Sequence, residues 1–234
     1  MSQEMVYLLT AALTIGVLHT LMGPDHYLPF IVMGKARNWS TTKTAWITFA
    51  CGIGHIASSI ILGLVGIAAG LALHVLELTE SIRGQYAAWL LTAFGLLYCV
   101  WGIRRAILNK PHTHHHAHAE VEHTHDHTHH DDHAHPHDAH NKSMTPWVLF
   151  TIFVFGPCEP LIPILMYPAA AESLWSVILI ASVYAVATIA TMMTVVMLAT
   201  LGMNFLPAGR MQRYNHAIAG AVVFLCGVAI HMGL

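Results

Sequence analysis

Ionisable side chains are nearly absent from six long stretches of this chain and crowded between them. That segregation limits the fold more than any single motif does. The apolar stretches run from about Met5 to Met33, Ala45 to Leu73, Tyr86 to Ile103, Thr145 to Tyr167, Leu174 to Leu201 and Ala217 to Leu234. About 20 apolar residues cross the hydrocarbon core of a bilayer, so six such runs use over half of the 234 residues and leave no room for a large soluble domain. Only 9% of the residues are Asp, Glu, Lys or Arg, against about 25% in soluble domains. The sequence therefore predicts an all-α, polytopic membrane protein whose main partner is the lipid bilayer.

Other classes fall away on the same grounds. A net charge of −2, with no basic stripe, gives a nucleic acid nothing to bind. Cys51, Cys99, Cys158 and Cys226 lie inside apolar runs and form no CxxC pair, so no disulfide framework is expected. Cys51, Cys99 and Cys226 read as core residues. The opening Met-Ser-Gln-Glu has no basic region, and the first run reads as a retained span. No motif suggests an enzyme, a resident cofactor or nucleotide binding; a homo-oligomer is compatible with the sequence.

Basic residues accumulate in cytoplasmic loops. The first, third and fifth loops hold Lys35, Arg37, Lys43, Arg104, Arg105, Lys110, Lys142, Arg210 and Arg213, while the even loops hold only Arg83. In a bacterial inner membrane this bias sets both termini outside the cytoplasm. The chain divides into a three-span unit over 1–105, a cytoplasmic loop over 106–144 with no fixed fold, and a second three-span unit over 145–234.

The two units share a motif in their first spans. Gly23-Pro24-Asp25-His26-Tyr27-Leu28-Pro29-Phe30-Ile31-Val32-Met33 can be set against Gly156-Pro157-Cys158-Glu159-Pro160-Leu161-Ile162-Pro163-Ile164-Leu165-Met166. Three spans per unit is an odd number, so the units would enter the membrane from opposite sides. That is an inverted repeat, with its first and fourth helices broken at Gly-Pro.

His19, Asp25, His26, His55 and Glu159 fall well inside predicted spans. Such groups are costly in hydrocarbon and face a cavity, a partner or a transported ion. A broken helix leaves backbone carbonyls unpaired, which a cavity tolerates and lipid does not. Imidazole and carboxylate suit borderline divalent metals, and the Cys158 thiol adds soft character. The candidate metal ligands are thus His19, Asp25, His26, His55, Cys158 and Glu159. On a straight helix His19 and His26 stand about 10 Å apart; they either meet because the break folds the chain back or mark successive stations on a path. His74, His216 and His231 lie near span ends and read as interfacial.

Between Pro111 and His140 lie fourteen of the twenty histidines, with four Asp and two Glu. Neutral imidazoles at this density bind metal. His114, His115, His116, His123, His125, His127, His129 and His130 are its candidate capture residues.

At His19-Thr-Leu-Met-Gly-Pro-Asp25-His26 the chain resembles the nickel/cobalt transporter group and the related urease-accessory-type membrane proteins. Their signature has one residue fewer before the Asp. The resemblance implies a nickel or cobalt cargo, with zinc as a further candidate, and His19, Asp25 and His26 as ligands. Gly156-Pro157-Cys158-Glu159 is similar to broken spans of the wider lysine-exporter-like superfamily, which includes membrane thiol-electron carriers. The expected function is secondary transport of a divalent transition metal, efflux favoured over uptake. The alternatives are a thiol-electron carrier and an exporter of small anions such as sulfite.

Overall fold

A computed structural model describes residues 2–108, 112–118, 121–127, 144–158, 160–171, 173–204 and 213–233. Helix α1 (Gln3–Met22) stops at Gly23, and a 3-10 turn, Pro24–His26, leads into α2 (Leu28–Ala36). Then come α3 (Thr41–Ala68) and α4 (Leu73–Leu108). Two strands follow, β1 (His112–His118) and β2 (Val121–His127). The second half holds α5 (Thr145–Phe155), α6 (Leu161–Ala171), α7 (Leu174–Asn204) and α8 (Asn215–His231).

Local chemistry fixes several boundaries. Ser2 and Ser40 accept hydrogen bonds from the Met5 and Lys43 amides, capping α1 and α3. Pro24 and Pro157 lack the N–H that would continue the helices before them. Both Gly-Pro breaks expected from the sequence are present.

Among the described residues, four helices are long and apolar enough to cross a membrane: Gln3–Met22, Thr41–Ala68, Leu73–Leu108 and Trp175–Met203. Helices α5 and α8 are apolar but shorter. Large apolar side chains such as Trp46, Leu97, Trp147 and Trp175 point outward, as a lipid-facing surface requires. The protein is a multi-pass membrane protein.

Helix α4 lies along α8, α1 along α7, and α3 between α5 and α7. Several pairings have counterparts when the halves are exchanged, α1–α7 with α3–α5, α2–α8 with α4–α6, and α2–α7 with α3–α6, while α4–α5 has none of similar extent. Along α4–α8, a Cβ on Gly95 or Gly102 would run into α8 backbone, and one on Gly220 into α4 backbone. Small residues thus set the close approach of these helices.

One expectation needs correction. The third span was expected at Tyr86, with Glu77, Glu80 and Arg83 in a loop. The helix begins at Leu73 instead, so all three are helical. A buried pairing of Glu80 with Arg83 neutralises both charges inside it. Within the central loop, the described residues form an antiparallel ribbon in which His112, His114 and His116 stand opposite His127, His125 and His123. In β2 the histidines at 123, 125 and 127 recur with the period of a strand. His129 and His130 lie outside the described residues.

Candidate metal centre

Histidines 19, 26 and 55 reach one place by three local routes. His19 sits in the last turn of α1, where its carbonyl accepts the Gly23 amide at 3.0 Å and closes the helix. The 3-10 turn follows, with the His26 amide on the Gly23 carbonyl at 3.0 Å. This brings the His19 and His26 rings to 4.8 Å between centroids. The break therefore does fold the chain back, as joint use of the two histidines requires. His55 lies on the buried stripe of α3 with Thr48, Cys51, Gly52 and Ser59, and its ring stands 5.1 Å from that of His26.

One ring nitrogen from each histidine lies within 4.8 Å of the others, and among the described residues this is the group able to hold a metal ion. His26 and His55 are each 4% exposed. The Nε2 atoms of all three are buried and lack a hydrogen-bond partner. An unsatisfied buried polar group costs about 1–3 kcal/mol, and three at one point make this a candidate binding site.

The opposite ring edges show which nitrogen is offered. His26 Nδ1 lies 3.1 Å from the Gly23 carbonyl and 3.3 Å from Asp25 Oδ1. His55 Nδ1 lies 3.3 Å from the Phe153 carbonyl. A carbonyl can only accept, so Nδ1 carries a proton in both rings, and in the neutral form of each ring Nε2 presents a lone pair. Metal-bound histidines are commonly oriented this way.

The breaks make this possible. In an unbroken helix the Phe153 carbonyl would accept from residue 157, but Pro157 has no N–H, and the carbonyl is left for Gly156 and His55. A Cβ on Gly23 would meet His26 Nδ1 at 2.5 Å, and one on Gly156 would meet His55 Nδ1 at 3.0 Å. Each Gly-Pro break thus holds one imidazole against a glycine that has no side chain to exclude it.

A cavity of about 30 Å³ adjoins the cluster, lined by Asp25, His26, His55, Phe153, Gly156 and Pro157 among others. That is room for a water or a small cation. Tetrahedral bonds of about 2.0–2.1 Å would set three nitrogens roughly 3.3 Å apart, so the rings must draw in slightly on binding. Three protein ligands leave a position open for exchange.

The other expected ligands are outside the trihistidine group, though Asp25 borders the same cavity. Asp25 stands behind His26 and orients it. Cys158 belongs to a different buried cluster, with its Sγ 3.2 Å from Tyr184 Oη. Glu159 lies outside the described residues. Cys51 and Cys226 are buried in the first core cluster, as expected.

The sequence reading missed Glu80 and Arg83. Glu80 is fully buried, pairs with Arg83, and accepts the Cys158 amide at 3.4 Å. Arg83 donates to the Val154 carbonyl at 2.9 Å. Val154 and Cys158 are the pair an unbroken helix would bond to each other, so the ion pair takes both ends of that lost bond. The available signal was an i,i+3 Glu and Arg in the run-up to an apolar stretch.

A family model described as the transmembrane region of cytochrome C biogenesis protein matches residues 8–229. Neither a curated protein nor a solved structure matches the chain. The family match replaces the resemblance to the nickel/cobalt transporter group. That resemblance rested on one short run of ligand-type residues, which reports site chemistry; the match spans nearly the whole chain and reports descent.

Proposed function

The chain belongs to the family of cytochrome C biogenesis transmembrane regions, and on that premise we propose that it is a member which handles a divalent transition metal ion, binding it inside the bilayer at His19, His26 and His55 and passing it across. The observation that carries this reading is the convergence of three buried Nε2 atoms with no other partner. The cargo is a borderline cation suited to imidazole. Binding requires neutral imidazoles, so metal exchanges with protons and a proton gradient can drive release.

The remainder of the reading follows from the sequence. The halves act as an inverted repeat whose broken helices frame the site, and the exchange-related helix pairings support this. The basic bias sets the histidine tract in the cytoplasm, the donor side for an exporter. Its cross-strand histidine register supports metal capture there.

A second reading, transmembrane thiol-electron transfer, is favoured by the family match. It needs two sulfurs that can bond, with Cα atoms about 4.4–6.8 Å apart. Cys158 lies in a different core cluster from Cys51 and Cys226, so a Cys158-based reading draws its second thiol from a partner, and the candidate pair within the chain is Cys51 with Cys226. The small-anion alternative would draw on Arg83, whose guanidinium is already engaged by Glu80.

Proteoliposomes loaded with a zinc-sensitive dye separate the readings. Zinc entry that responds to a pH gradient and vanishes in His55→Ala is expected. Absence of zinc flux, together with reduction of a lumenal disulfide by an external thiol reductant, would establish electron transfer instead.

A further inference from the structure

The Glu80–Arg83 pair does more than mend the second break. Arg83 Nη2 donates to Ser58 Oγ at 2.7 Å, and Ser58 Oγ donates to the His55 carbonyl at 2.8 Å. The same nitrogen donates to the Val154 carbonyl at 2.9 Å. Val154 follows Phe153, whose carbonyl holds the His55 ring by Nδ1. Arg83 therefore reaches His55 from two directions, through its backbone and through the peptide that follows the one orienting its ring.

We infer that Arg83, with Glu80 as counter-ion, is a positioning residue for the trihistidine site, fixing where His55 Nε2 points and so whether the ion sees three imidazoles or two. The inference rests on the metal reading of that site. It explains why an ion pair is kept in a membrane helix. Only a planar, multi-donor group bonds two acceptors on different helices while holding a carboxylate, and the buried Glu80 cancels the charge that this requires. Gly84 supports the same junction, since a Cβ there would meet Pro157 Cγ at 2.8 Å. Lysine could satisfy Glu80 but not Ser58, Val154 and Glu80 together.

The test uses purified full-length protein in which the fourteen tract histidines are replaced by asparagine, so that bound Co²⁺ reports the intramembrane site. Arg83→Lys is expected to weaken Co²⁺ binding 10- to 100-fold, the usual effect of losing a group that orients a ligand. X-ray absorption should show fewer than three imidazoles at saturating metal. A purely structural role would lower the unfolding midpoint and leave the imidazole count at three, which overturns the inference, as does binding equal to the parent. If Arg83→Lys does not fold, the double variant Glu80→Gln/Arg83→Gln, with no unpaired buried charge, decides by the same two readouts. Failure of the parent to bind Co²⁺ would remove the metal reading itself, a result distinct from a parent that binds and an Arg83→Lys variant that matches it.

Discussion

Gly23→Ala adds one methyl group, and its effect can be worked from the geometry. The backbone at Gly23 has φ −91° and ψ 92°, outside the left-handed region that favours glycine, so the consequence is chiefly one of contact. The added Cβ would stand 2.5 Å from His26 Nδ1, 2.9 Å from its Cε1 and 2.9 Å from Asp25 Oδ1. Ordinary contact begins near 3.4 Å, so the imidazole must retreat by 0.9 Å, the difference between 3.4 and 2.5 Å. Metal–ligand bonds tolerate about 0.2 Å, and the shift also breaks the bond between Nδ1 and the Gly23 carbonyl. His26 is lost as a ligand. At Gly156 the retreat is only 0.4 Å, from 3.0 to 3.4 Å at His55 Nδ1. We expect Gly23→Ala to weaken zinc binding at least about 100-fold, roughly 3 kcal/mol, and Gly156→Ala about 10-fold. Gly202→Ala, whose Cβ would meet nothing within 4 Å, should have no effect. Competition against a chelating dye measures all three on the tract-substituted background. Gly23→Ala binding as tightly as the parent, or more tightly than Gly156→Ala, would refute the reasoning.

Other consequences are simpler. His26→Ala should abolish zinc binding at this site, whereas Asp25→Asn, which keeps an acceptor on Nδ1, should weaken it about 10-fold; equal losses would make Asp25 a ligand. Cys158→Ser should leave zinc affinity within about twofold, since its thiol faces Tyr184, and a large loss would bring sulfur into the site. A cysteine placed at position 125 should resist impermeant labelling in intact cells and react after lysis; ready labelling of intact cells would reverse the orientation.

Much of this was legible because the bilayer makes polar residues conspicuous. His19, Asp25, His26 and His55 stood out as ionisable groups in apolar runs, and Gly-Pro announced both breaks. The sequence left open whether His19 and His26 could meet, because a straight helix separates them and only the 3-10 turn closes the gap. Cys158 and Asp25 occupy matching places in the two motifs, yet neither joins the trihistidine group. A shared backbone break does not dictate where a side chain points. Glu80 and Arg83 were misread because charge density suggests a loop, and their mutual neutralisation inside α4 shows only in three dimensions. The family was misread because ligand-type residues can gather at a site whatever the descent of the scaffold.

The most direct test of the central claim is X-ray absorption of the zinc-loaded, tract-substituted protein. Three imidazole nitrogens at about 2.0–2.1 Å are expected, falling to two in His19→Ala. A shell of sulfur near 2.3 Å, or a spectrum unchanged by substitution of His19, His26 or His55, would contradict the account.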